Sequence, residues 1–415
     1  RAIQDLNQAI KLDPKDALAV FNRGLTFKAM GDAKLAIADY DTAIKLDPKN
    51  ALAYFNRGIA FRENNDPEHA VADFSQAIRL DPKNGLAYFN RGLAYYERRE
   101  LERAIPDFDQ AIRANPNYAP AYYGRGLAHY DKRDFDPAIQ DLNQAINIRP
   151  SYTVAFNIRG LSYAGKGDID RAIQDFDQAI RIDPKFAVAY NNRGEAYQTK
   201  REHDRAIADF EQAIKFNPAY DVAYFNRGMA FRDRREFDLA IQDFTQAIRL
   251  DPKNALAFNN RGFSYRNKGE PDRAIADFDQ AIKLNATYAP AYYNRGLAFA
   301  DKRDFDKAIQ NFDQSIRISP TVAAVWLDRG LAFRDKREFD RAVQDFDQAI
   351  RLDPKLAVAY DNRGLAYHEK KSYDRAIQDF DQAIRLDPKF AVAYNDRGLA
   401  KGAKGQTEAA IGDFD

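Results

Sequence analysis

Cysteine is absent from the 415-residue chain. That excludes disulfides and thiolate metal sites and leaves the redox compartment open. No stretch is long and apolar enough to span a bilayer, and no signal peptide stands at the start; the cytoplasm is the expected compartment. A charge of one sign is also lacking, since 63 basic side chains balance 62 acidic ones for a net +1. Acid and base are interleaved, so neither nucleic acid nor an anionic membrane is an expected partner. Histidine is scarce: His69, His129, His203 and His368 lie far apart, with no two at metal-ligand spacing on one helix. Serine and threonine are sparse, and no nucleophile can be matched with a base. The recurring glycines are single and do not build a phosphate-cradling loop. No enzymatic activity, metal or cofactor is expected from these residues.

What is present is periodic. Gly24, Gly58, Gly92, Gly126, Gly160, Gly194, Gly228, Gly262, Gly296, Gly330, Gly364 and Gly398 recur every 34 residues, each preceded by Arg. A fixed period of this length marks an array of one supersecondary unit, whose core can run continuously along the stack. Counting places from Ala17, eleven complete units fill residues 17–390. Residues 1–16 are the second helix of a truncated unit and 391–415 the front of a twelfth. The chain starts and stops in mid-repeat, as a fragment of something longer would. A single continuous solenoid is the expected organisation.

One unit, Asp221 to Asn254, shows the local logic. Val222, Tyr224, Phe225, Gly228, Met229 and Phe231 recur at helical spacing, as do Phe237, Ala240, Ile241, Phe244, Ala247, Ile248 and Leu250. Arg234, Arg235 and Glu236 separate the two runs. Asp251-Pro252 ends the second, because proline cannot continue a helix and restrains the residue before it. The expectation is an antiparallel helical hairpin. Glycine inside a helix costs about 1 kcal/mol relative to alanine, so its return at the eighth place of every unit points to a steric need.

These residues resemble the tetratricopeptide repeat. The shared pattern is an aromatic at the fourth place (Tyr54, Tyr88, Trp326), Gly at the eighth and an aromatic at the eleventh (Phe61, Tyr95, Phe333). Ala follows at the twentieth, Phe at the twenty-fourth, Ala at the twenty-seventh and Pro at the thirty-second, as in Ala70, Phe74, Ala77 and Pro82. The resemblance covers the whole chain and implies an all-α, right-handed superhelix of helix pairs whose first helices line the concave face. Departures are few. Val20, Ser315, Ala286, His129 and Lys401 stand where an aromatic, Ala, Pro and two aromatics are usual, and Pro106 falls inside a second helix, where it should kink the helix or remove one hydrogen bond.

Two departures coincide in nearly every unit. The family usually has Leu at the seventh place and an aromatic at the twenty-third; here the seventh is always Arg and the twenty-third is Asp, with Asn311 the exception. This predicts an ion pair between the two helices of one hairpin, as Arg57 with Asp73 or Arg91 with Asp107, since the guanidinium fork can meet a carboxylate with two hydrogen bonds.

The sixth place carries Asn22, Asn56, Asn90, Asn192, Asn226, Asn260, Asn294 and Asn362, interrupted by Gly124, Ile158, Asp328 and Asp396. A carboxamide both donates and accepts, so a column of them at one-repeat pitch can pair with the main chain of an extended peptide. The column resembles the asparagine ladder in the tetratricopeptide superhelix of O-linked N-acetylglucosamine transferases, which implies a peptide or partner protein as ligand. The alternative is a solvated polar residue, or an amide that bonds its own helix backbone. Flanking it, the fifth place carries Phe21, Phe55, Phe89 and Tyr123 early in the chain. These rings either anchor apolar side chains of a partner or bury against an adjacent repeat. The Lys residues of the clamp by which some tetratricopeptide domains hold acidic chaperone tails are missing: the second place is always apolar or Pro (Leu52, Pro120, Val188), and the fifth is never Lys.

The leading expectation is a non-catalytic scaffold binding a peptide or protein in a concave groove. A recognition arm of a larger glycosyltransferase or protease is the second reading. Self-association, including a homodimer through an uncapped end at Asp415, is the third. Residues 170–191 and 374–395 differ only at Ile182 against Leu386, which suggests recent duplication.

Overall fold

The computed structural model describes residues 2–414. Among them are 25 α-helices and no strand, so the fold is all-α as expected. The expected end at Asp415 lies outside the described residues, as does Arg1. The chain divides into two compact units, one ending at Phe216 and one beginning at Asn217. The first holds a leading helix, Ala2–Leu12, and hairpins from Ala17–Ala29 paired with Ala33–Leu46 to Ala187–Thr199 paired with His203–Phe216. The second runs from Asp221–Asp233 paired with Phe237–Leu250 to Ala391–Ala403 paired with Thr407–Phe414. Within each unit a hairpin touches only its sequence neighbours, so the core is a stack of thin layers.

The helix ends follow from local hydrogen bonding. Asn50, Asn84 and Asn254 each precede a first helix and accept from the backbone N–H three residues on, at 3.0, 3.0 and 2.9 Å, which satisfies one donor that the helix leaves open. Most second helices stop at an Asx turn: Asp251 accepts from the N–H of Lys253 at 3.0 Å. Asn285 does the same with Thr287 at 3.1 Å, so the helix Pro271–Leu284 ends on time although Ala286 has replaced the proline. Pro106 does not break its helix, which runs from Leu101 to Ala114.

The core is built on the eighth and twenty-fourth places. Phe74, Phe108, Phe176, Phe210, Phe244, Phe278, Phe312, Phe346 and Phe380 are fully buried, each contributing about 1.5–3 kcal/mol by transfer from water. The glycine opposite is there because the ring lies on it. A methyl at Gly194 would stand 2.6 Å from Phe210 Cε1, and one at Gly228 2.9 Å from Phe244 Cε1. Ser315, which takes the place of a core alanine, is buried and gives its hydroxyl to the Ala289 carbonyl at 3.2 Å.

Candidate functional site

The paired charges meet. Arg57 sets Nε on Asp73 Oδ2 at 2.7 Å and Nη2 on Asp73 Oδ1 at 2.6 Å. Arg91 does so with Asp107 at 2.7 and 2.7 Å, and Arg159 with Asp175 at 2.8 and 2.6 Å. The fork is possible because the seventh place on the first helix faces the twenty-third on the second. The Asp side is buried and the Arg side half-buried. Burial pushes the carboxyls of Asp73 and Asp175 upward, against the pull of their arginines, while the carboxylate bonds hold Arg57 more firmly protonated than a free guanidinium. The ring at the fourth place covers each guanidinium, with Arg57 5.6 Å from the centre of Tyr54.

Several of these guanidiniums also reach a second hairpin, which the sequence reading missed. Arg57 Nη1 donates to Asp41 Oδ1 at 2.6 Å, Arg91 Nη1 to the Ser75 hydroxyl at 3.0 Å, Arg159 Nη1 to Asn143 Oδ1 at 2.6 Å and Arg261 Nη1 to the Thr245 hydroxyl at 3.1 Å. All four acceptors occupy the twenty-fifth place of the preceding repeat. A further row joins lysines at the fourteenth place to carboxylates at the eighteenth place of the repeat before, as Lys200 with Asp170 at 2.9 Å and Lys336 with Asp306 at 2.6 Å. In the second unit a cleft of about 990 Å³ opens over the arginine face, lined by Tyr224, Arg227, Asp243, Gln246, Arg261 and Asp277. Its guanidiniums are already closed by carboxylates, so it offers no ready anion receptor.

The sixth-place amides are anchored in two ways. Asn56, Asn90, Asn260 and Asn362 each give Nδ2 to the carbonyl one turn back, of Leu52, Leu86, Leu256 and Val358, at 2.7–2.8 Å. In three of them an arginine from the twelfth place of the preceding repeat binds the oxygen: Arg62 on Asn90 at 2.7 Å, Arg232 on Asn260 and Arg334 on Asn362. By contrast, Asn192 and Asn294 give Nδ2 to Asn157 and Asn259 of the repeat before, at 2.9 and 3.0 Å. Asn22 and Asn226 hold the equivalent half-buried positions in the helices Ala17–Ala29 and Asp221–Asp233. The break at Gly124 has a steric cause, because a Cβ there would stand 2.9 Å from the Phe108 ring.

The fifth-place rings pack inward. Phe21 is buried against Tyr40 at 5.8 Å between centres, Phe55 lies 5.9 Å from Phe74, and Phe89 lies 5.9 Å from Phe108 and edge-on to Tyr118 at 5.1 Å. Tyr123 lies 5.2 Å from Tyr152, and burial pushes its hydroxyl up to about 12. Phe55, Phe89 and Tyr123 keep a half-exposed edge. The open apolar groups stand instead at the second place. Leu18, Leu52, Leu86, Val188, Val222, Leu256, Val358 and Val392 are 38–63% exposed. All but Val392, which stands one turn from Asp396, lie one helical turn from an amide on the same stripe. The signal for them was in the sequence, as an apolar second place on a helix whose core residues were already accounted for.

Among the described residues no cluster of His, Asp and Glu could hold a metal ion, and no helix is long and apolar enough to cross a membrane. Tetratricopeptide repeat models match residues 23–85, 55–119, 89–153 and 261–323, residues 187–220 and 222–254, and residues 244–276. A further repeat model of the same kind matches residues 1–31, 160–200, 330–371 and 364–405. No significant match to a curated protein was found. Among solved structures, the APC/C hetero-tetramer Cut9-Hcn1 is 16% identical over 96% of this chain and 92% of that one, with a TM-score of 0.51. A tetratricopeptide repeat protein from Parabacteroides merdae is 22% identical over 60% of this chain and 98% of its own, with a TM-score of 0.50. Both likenesses concern the fold alone. YrrB, described as a TPR protein with an unusual peptide-binding site, is 25% identical over 44% of this chain and 95% of that one, with a TM-score of 0.40.

Proposed function

Because this chain belongs to the tetratricopeptide repeat family, we propose that it is a non-catalytic scaffold that holds a partner protein through an extended peptide laid along the first helices. The observation that carries this reading is the stripe on which an exposed aliphatic at the second place alternates with an amide at the sixth. Water-exposed leucines in register with polar groups of fixed orientation suit a ligand that offers side chains and main chain alternately. The amides remain usable although anchored. Asn90 spends one N–H on Leu86 and one lone pair on Arg62, which leaves one donor and one acceptor. Anchoring lowers the ordering cost of binding. The reading keeps residues 17–390 as eleven consecutive repeats.

The test is calorimetric titration of peptides selected on an array. Replacing Asn56 and Asn90 together by Ala removes two main-chain hydrogen bonds worth about 1 kcal/mol each, so affinity falls roughly tenfold or more whatever the peptide sequence. Replacing Leu52 and Leu86 by Asp weakens apolar peptides selectively. Affinities that both variants leave unchanged would remove this stripe as the binding face.

A further inference from the structure

At three joints between repeats the fifth-place side chain of one hairpin meets the sixth-place side chain of the next, and each time a donor faces an acceptor. Asn192 gives Nδ2 to Asn157 Oδ1 at 2.9 Å, Asn294 gives Nδ2 to Asn259 Oδ1 at 3.0 Å, and the Tyr293 hydroxyl donates to Asp328 Oδ2 at 2.7 Å. The same two places in the last pair of hairpins hold Asp361 and Asp396. Asp361, on the helix Ala357–Glu369, is 3% exposed, and Asp396, on Ala391–Ala403, is 9% exposed. Asp396 Oδ1 accepts from its neighbour Asn395 at 3.1 Å. Asp361 Oδ1 is buried and has no hydrogen-bond partner. Two ionised carboxylates only accept, so the pattern that closes the other joints fails here unless a proton is added.

We propose that Asp361 and Asp396 share one proton, that this proton closes the joint between the hairpin 357–386 and the hairpin 391–414, and that the joint loosens when it leaves. The surrounding charges do not close the pair instead. Arg334, from the helix Ala323–Asp335, favours both ionised carboxylates, but its Nη1 is given to Asn362. His368 bears on Asp396 from the helix Ala357–Glu369. On the two second helices nearby, Asp345 is held by Arg329, and Asp347 and Asp379 by Arg363.

Burial, with the negative Asp396 beside it, pushes the Asp361 carboxyl up to about 7, and burial moves Asp396 upward too. The sign follows from linkage. A carboxyl whose folded value exceeds its unfolded one keeps a proton that the unfolded chain releases. Its stabilising contribution is therefore complete in acid and is lost as pH rises through about 7, the reverse of a carboxylate held by a cation.

Amide hydrogen exchange across Ala391–Ala403, corrected for the intrinsic chemical rate, reads the joint directly. Between about pH 5.5 and about pH 8 the protection falls roughly twentyfold in the unaltered chain. Asp361→Asn installs a permanent donor toward Asp396, as the Tyr293 hydroxyl is toward Asp328, and should keep protection level and high at the alkaline end. His368→Gln should retain the fall, which separates the carboxyl pair from imidazole titration. The same fall in Asp361→Asn as in the parent, or its loss in His368→Gln, overturns the proposal. A carbon-13 titration supplies the second measurement: an Asp361 carboxyl midpoint near 7 is expected, and an ordinary carboxylate midpoint near 4 also overturns it.

Discussion

Arg295 is the one seventh-place arginine whose twenty-third-place partner is an amide, Asn311. It gives Nε to Asn311 Oδ1 at 2.7 Å, while Asn311 turns its Nδ2 back to the Lys307 carbonyl at 2.8 Å. The fork that elsewhere makes two bonds to Asp makes one here. Asn311→Asp should restore the second and raise stability by about 1 kcal/mol, since the new bond joins a guanidinium to a carboxylate in a buried place. Chemical denaturation checks this, and an unchanged or lowered midpoint would show that desolvation cancels the gain. The ion pair was legible in the sequence because two family departures, at the seventh and twenty-third places, occur together. The third nitrogen's partner was not. Asp41, Ser75, Asn143 and Thr245 share only the capacity to accept a hydrogen bond, and that likeness emerges once the stack places them beside the arginine.

At the scale of the hairpin, the turn between helices is the least relaxed segment. Its middle residue, the fifteenth place, adopts a left-handed conformation throughout: Gly31, Gly167, Gly269 and Gly405 with φ of 79–86°, and Asn65, Arg99, Arg133, Arg201, Arg235, Arg303, Arg337 and Lys371 with φ of 56–62°. A side chain there costs about 1 kcal/mol or somewhat more, which glycine avoids. Arg201→Gly should therefore raise the thermal midpoint, and Gly167→Ala should lower it, by similar amounts measured in one calorimetric series. If Arg201→Gly lowered it and Gly167→Ala raised it, unfolded-chain entropy would outweigh backbone strain. This turn was legible in the sequence only in part. Its polar residues marked where the first helix ends, whereas arginine is a helix former and hid the left-handed residue. Pro106 removes one hydrogen bond, and the helix, anchored by Phe108 and Ala111, continues past it.

At the scale of the molecule, successive hairpins within each unit are tied by polar rows as well as by their thin core. The arginine row is largely sheltered. The lysine row is not, since carboxylates such as Asp238 and Asp306 are 82% and 74% exposed. Exposed pairs feel salt and sheltered ones feel it less. Raising NaCl from about 0.01 M to about 1 M shortens the screening length from about 30 Å to about 3 Å and should lower the thermal midpoint. Replacing Lys200, Lys268 and Lys336 by Gln should shrink that drop. A salt response that these replacements do not alter would show the lysine row to be idle. The repeat, the hairpin and the core glycines could be read from spacing because they depend on one unit at a time. The inter-repeat bonds could not, because each joins places whose partnership depends on how one hairpin sits on the next.

The matched donors and acceptors at the fifth and sixth places also restrict the order in which hairpins can follow one another. If the segment 153–186 were moved ahead of 119–152, the buried Asn157 would face Gly124 and lose its partner, at about 1–3 kcal/mol. These modules are keyed couplings, not interchangeable beads, and shuffling or duplicating them is tolerated only where both keys travel together.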